Sequence, residues 1–351
     1  MRYPFPPLSS RQALAIVLSC LIVGLPLSAS AGTYTNFNYP GAYSTVANGI
    51  NKSGLSVGYY GFGTGSTWAY GFVRQTNGTL TSIIVSGAHA TLPSAINGSG
   101  TVVGFYQDAN YVYHGFLYGA GGHFTTLNAP GAGWKTAYTG TYAFSINDAG
   151  QVTGNYVDNH QVYHGFFRDA FGNYTSFDPP GSVNTSGAFL NQTGEVAGNY
   201  KTSDGTSHGY LRDASGNITT FDVIGANSYG TYVSGINTTG EIAGEYGTTS
   251  GTTSCFLRDA AGVITTFALP DLFKGIAGIQ DNGDIIGEEA NDDGYVLGFR
   301  RSSTGAITSF SDPSAGHNQA TNPLAVSANG NMAGDYVDSS GITNAFIWQS
   351  K

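Results

Sequence analysis

Charge is scarce in this chain. Only 10% of its 351 residues are Asp, Glu, Lys or Arg, and the balance is acidic, with a formal net charge of −9. Such a surface repels a phosphate backbone, which excludes nucleic acid as a partner. Cysteine is almost absent: Cys20 lies in a segment expected to be removed, which leaves Cys255 alone and rules out a disulfide framework. The single long apolar run, Ala13 to Leu27, is too short for a comfortable membrane span, and no Pro-rich or Ser-rich linker divides the chain. No nucleophile elbow, Walker loop, HExxH or CxxC occurs, so no familiar catalytic constellation is written here.

What is abundant is equally directive. The chain has 52 Gly, 23 Tyr and 20 Phe, a composition for strands joined by tight turns. Residues 1–31 stand apart: Arg2 and Arg11, the apolar run, then small residues at Ala29 and Ala31 read as a secretory signal peptide cut near Ala31. Its removal takes away two arginines and no acid, moving the formal charge from −9 to −11. The expectation is an exported protein, periplasmic or extracellular, whose mature chain has no membrane span.

From residue 32 onward one sentence recurs. Aligned on a Gly it reads GLSVGYY at 54, GTVVGFY at 100, GQVTGNY at 150, GEVAGNY at 194, GEIAGEY at 240, GDIIGEE at 283 and GNMAGDY at 330. Seven copies spaced by four to five tens of residues fall in the range where one period makes a four-stranded propeller blade. In the third copy the four strands, A to D, read as Tyr142–Asn147, Gln151–Val157, Val162–Arg168 and Asn173–Phe177. The A–B link NDAG and the C–D link DAFG place Asn or Asp first and Gly fourth, the pattern of a type I turn whose Gly takes the left-handed conformation.

Residues 33–37, TYTNF, match the D strands NYTSF and NITTF, whereas the sequence reaches Lys351 after a C strand, NAFIWQ. Pairing Thr33–Phe37 with Thr343–Trp348 would supply the missing outer strand. The fold class expected is all-β, a seven-bladed β-propeller of four-stranded blades closed by the N-terminal strand, with residues 32–351 one domain. Strand C carries a tripeptide: His114-Gly115-Phe116, His164-Gly165-Phe166 and His208-Gly209-Tyr210, with YGF, SCF, LGF and NAF elsewhere. It resembles the extracellular repeat proteins named for a His-Ala-Phe tripeptide, although only the last copy has the Ala and none has all three residues. The resemblance implies secretion and repeat architecture, and carries no activity.

Most polar residues have structural duties in this reading. The Asp of Arg168-Asp169, Arg212-Asp213 and Arg258-Asp259 opens a turn. His114, His164 and His208 share a register on strand C but diverge from blade to blade, so packing is expected rather than a zinc site. Asn51, Asn97, Asn147, Asn191 and Asn237 could ring the central tunnel and hold calcium, but the turns already use them, so no cofactor is expected. The acidic stretch 281–294 lacks EF-hand alternation and reads as solvated.

Function is expected on the face carrying the variable D–A and B–C loops. There Tyr39, Tyr43, Trp68, Tyr111, Trp134 and Tyr138, with Lys135 as a donor, favour a binding module for a glycan or a partner protein. The loop 128–140 is the longest crossing. A propeller hydrolase or lyase is the alternative, built from Asp108, Asp158, His160, Asp338, His89 and His317, and an envelope or matrix role is the third.

Overall fold

The computed structural model describes residues 32–350 apart from 64–68, 120, 270–271, 292 and 318. The expected signal peptide lies outside the described residues, as does Trp68. The described chain is all β, with no helix among its elements.

The third repeat shows how the sequence makes its strands. They run Gly140–Ile146, Val152–Val157, Tyr163–Arg168 and Tyr174–Phe177, each within two residues of the span read from the sequence. Adjacent strands pair antiparallel. At the A–B turn the Gly150 N–H donates to the Asn147 carbonyl, and Gly150 sits at φ 78°, a conformation open to Gly at little cost. The same meander recurs as units at 44–83, 90–127, 184–221, 231–267 and 272–310.

The seventh unit is assembled from both ends of the described chain. Its first three strands span 321–350, and Gly32–Phe37 pairs antiparallel with the third, Gly32 opposite Ser350 and Phe37 opposite Ala345. The pairing joins the two segments that the sequence had matched, and extends it by Gly32 at one end and by Gln349 and Ser350 at the other. Tyr34 packs edge-on against Phe346 and faces Trp348 across the pair.

Core residues lie between units rather than within them. One cluster joins Val57, Val73 and Ile83 of the first unit to Ile96, Val102 and Phe116 of the second. Another joins Ala333, Ala345 and Ile347 of the seventh to Ala47, Ile50, Tyr60 and Phe72 of the first. Each unit also sets its strand A beside those of both neighbours, the last beside the first. The third residue of every tripeptide, from Phe72 to Phe346, is 0–1% exposed and forms the heart of these clusters. That explains why this position alone is always aromatic.

Candidate functional site

The two ends of strand A lead to different surfaces. At the A–B turns, each Asn does two jobs. Asn191 Oδ1 accepts the N–H groups of Thr193 and Glu195, closing its own turn, while Nδ2 donates to the Asn237 carbonyl of the next unit at 3.1 Å. Asn51 reaches the Asn97 carbonyl, Asn97 that of Asn147, Asn147 that of Asn191, and Asn237 that of Gln280, at 2.9–3.2 Å. Asn331 returns from the seventh unit to the Lys52 carbonyl. These amides form a one-way ladder around the axis and their oxygens are committed to turns, which leaves them poorly disposed to hold a cation. A cavity of about 170 Å³ opens beside them, collared by one aliphatic residue from each unit, among them Ile50, Ile146 and Val326.

The histidines and arginines are tied into the scaffold. His164 Nδ1 lies 2.7 Å from Asp178 at the end of strand D, its Nε2 lies 3.8 Å from Asp158, and its ring stacks on Tyr156. His114 and His208 repeat the arrangement within their own units, with Asn128 and Asp222 as partners. The three are therefore not brought together. Asp108 and Asp158 each accept two N–H groups of their B–C turn, and so does Asp338. Slight burial works upward on the Asp158 carboxyl, but the N–H groups of Val162 and His160 and the His160 ring outweigh it and hold the pKa below its ordinary value. Arg212, Arg258 and Arg301 each lie 4.5–5.1 Å over a Phe of the preceding unit, Phe167, Phe221 and Phe267. Cys255 is fully buried and burial lifts its thiol to about 12, so it is inert packing.

The loop-rich face is built differently. In the loop 128–139, Trp134 is 68% and Tyr138 58% exposed, and Lys135 Nζ sits 5.0 Å from the Trp134 ring. This loop is fastened to both neighbouring B–C turns. The N–H groups of Trp134 and Lys135 donate to Asn159 Oδ1, and that of Tyr138 donates to the Tyr111 carbonyl at 2.8 Å. Tyr111, 47% exposed, lies between the rings of His89 and Tyr138, at 4.7 and 6.2 Å. Four of the sequence-named residues thus lie exposed on or beside this loop as two pairs, Tyr111 with Tyr138 and Trp134 with Lys135. Tyr39 does not join them: its ring stacks on Tyr60 at 3.6 Å and its hydroxyl meets Ser82, so it is part of the wall between the first unit and its neighbour. Tyr43 is exposed on the first unit, away from these contacts.

Sequence reasoning missed one graded feature. The residue after the strand B Gly reads Tyr59, Phe105, Asn155, Asn199, Glu245, Glu288 and Asp335 in successive units, always opposite strand A. Asn199 bonds the Val233 backbone of the next strand A, which shows where the position aims. Burial raises Glu245 and Glu288 to about 7 and Asp335 to about 6, the Asp335 charge adding to Glu288. The aligned repeats carried this signal, since a scaffold position that changes from aromatic to amide to acid is not serving the turn. Among the described residues no group of three or more His, Cys, Asp or Glu is placed to hold a metal, and no helix is long and apolar enough to cross a membrane.

No protein-family model matches the sequence, and no curated protein matches it. Solved structures do match in shape. The β-propeller domain of the trilobed protease from Pyrococcus furiosus, described as having an open velcro topology, superposes with a TM-score of 0.61 at 10% identity, over 88% of this chain and 96% of that one. Puromycin hydrolase, as an S511A mutant complexed with PGG, gives 0.56 at 10% identity over 90% of this chain and 56% of its own, so the chain spans about half its length. The lectin BP39L from Burkholderia pseudomallei gives 0.51 at 12% identity, over 88% and 98%. Identities this low establish a common fold and nothing about activity. The architecture is that of the β-propeller proteins.

Proposed function

We propose that the protein is an exported binding module, a closed seven-bladed propeller that presents a ligand site on its loop-rich face. Packing supports the closure, since every core cluster bridges consecutive units and one bridges the seventh to the first. Export follows from the residues before Gly32 and fits the extracellular family that the tripeptide resembles.

The observation that carries the binding reading is the shelf of Trp134, Tyr138 and Tyr111 with Lys135 beside it, exposed on a loop whose length closure does not need. A sugar ring, with an apolar face and a rim of hydroxyls, suits such a surface, and a protein ligand with a similar patch is the other fit. That one solved propeller of this shape is a lectin agrees with the first. A hydrolase on the same face is less well served, because Asp108, Asp158 and Asp338 are committed to their turns. The test is replacement of Trp134 and Tyr138 together by Ala, with retention on a glycan array measured beside thermal unfolding. Retention should be abolished while stability stays within about 0.5 kcal/mol of the parent, as at surface sites generally. A large fall in stability would make the pair core residues and remove the site.

A further inference from the structure

Three residues other than Gly hold a left-handed backbone among those described: Tyr111 at φ 64°, Tyr138 at 68° and Gln161 at 66°. All three belong to the loop 128–139 or to the B–C turns fastened to its two sides. Elsewhere on this face the same turn position is Gly. In each case the N–H of the fourth turn residue donates to the carbonyl of the first, as with Tyr111 to Asp108 and Gln161 to Asp158, and the fourth residue is Gly205, Gly251, Gly294 or Gly341 in the last four units. Those glycines have φ between 77° and 85°, and a Cβ added to any of them meets nothing within 4 Å.

Two consequences follow. The position points into open space, so a side chain there gains little from the fold. It also sits where a side chain other than Gly is strained. Tyr111 recovers part of that cost against His89 and Tyr138. Gln161 recovers none: it is exposed, and among the described residues its side chain has no hydrogen-bond partner. Two neighbouring turns thus keep an unfavourable residue on opposite flanks of the aromatic shelf, where four sister turns show that Gly does the structural job.

We propose that Tyr111 and Gln161 are ligand-contacting residues, and that the ligand is an extended, neutral oligosaccharide that crosses the shelf from one turn to the other. This rests on the binding reading above. Neighbouring blades pack about 10 Å apart, more than one sugar ring covers. The groups on offer are aromatic faces, an amide and one ammonium, while the nearby Asp108 and Asp158 are occupied by turn N–H groups and histidines, so neither a polyanion nor a polycation is favoured.

The experiment uses an array of neutral oligosaccharides of increasing length, with their single-ring units and uronate-bearing chains as comparators, and four proteins: the parent, Tyr111→Gly, Gln161→Gly and Gly341→Gln. Gln161→Gly should lower retention of the longer neutral chains at least tenfold and leave single-ring binding unchanged, with a melting temperature equal to the parent's or about 1–2 °C higher. Tyr111→Gly should lose retention of both. Gly341→Gln should bind as the parent does and melt lower. Parental binding that survives both Gly variants overturns this proposal while leaving the binding reading intact, whereas a parent that binds no glycan overturns both. A melting temperature that falls in Gln161→Gly, or holds in Gly341→Gln, removes the strain argument. Preference for uronate-bearing chains overturns the ligand class.

Discussion

On the face of the A–B turns almost every unit repeats its neighbour, down to an Asn whose amide bonds the next unit at 2.9–3.2 Å. On the opposite face the units part company, and Gly gives way to Tyr111 and Gln161 beside a long loop bearing Trp134. The same backbone meander supports both. Hydrogen bonds that hold units together recur from junction to junction and so are copied, whereas the proposed ligand would meet only a few units and select residues there alone. On the binding reading proposed above, regularity reports stability, and departure from regularity reports contact with something else.

The comparison breaks most completely if the seventh unit loses its outer strand. Removing Gly32–Phe37 strips the outer strand from the seventh unit and takes Phe37 and Tyr34 out of two core clusters. At about 1.5–3 kcal/mol for each large side chain, plus a bared strand edge, the loss should approach the stability of an ordinary domain. Circular dichroism on heating should show a truncated protein that melts far below the parent or fails to fold. Coincident melting curves would mean that the seventh unit stands without its fourth strand.

Cutting one rung of the ladder sharpens the contrast. Asn191→Ala removes three bonds accepted within the turn, the amide's bond to the Glu195 carboxylate and the bridge to the Asn237 carbonyl. A cost of about 2–4 kcal/mol is expected from denaturant titration, with ligand retention on the other face unchanged. Asn191→Asp keeps an acceptor for the turn but loses the bridge and sets a second carboxylate against Glu195, so it should be no more stable than Asn191→Ala. If both variants matched the parent, the ladder would be a bystander.

The smallest effect concerns the graded strand B position. With folded-state values of about 7, 7 and 6 against about 4 in the unfolded chain, Glu245, Glu288 and Asp335 bind protons more tightly when folded. The stability this confers is complete below about pH 4 and is lost as the pH rises through 6 and 7. Melting temperature should therefore fall between pH 5 and pH 8, and Glu245→Gln, which cannot ionise, should flatten that fall by about 2–3 kcal/mol. An identical pH profile in the two proteins would show that Glu245 is solvated.

Much of the fold was legible because repetition multiplies weak signals. A single NDAG could be any turn, but Asn three residues before Gly in register with an alternating strand, five times over, fixes strand and turn positions within two residues. The outer strand Gly32–Phe37 was legible for the same reason, since it carries the pattern of the other fourth strands, although that pattern does not say which residues of the partner strand it faces. The site was half legible. Trp134, Lys135, Tyr138 and Tyr111 stand out as large residues in a long loop, but Tyr39 looked the same and proved to stack on Tyr60. Residue type cannot say which way a loop aromatic turns. Gln161 offered no chemistry to notice; only its backbone angle, seen beside four glycines, sets it apart.

The pairing of Tyr34 with Trp348 also orders events in time. The first described strand has its partner at the far end of the described chain, so it stays unpaired until everything between them has been made. Intermediate lengths expose an open strand edge and an incomplete core, and the cooperative state becomes available only once that partner exists. If the chain is exported, as proposed above, such a delay is an advantage: it stays threadable while the pair is unmade, and locks only on the side where the partner strand arrives.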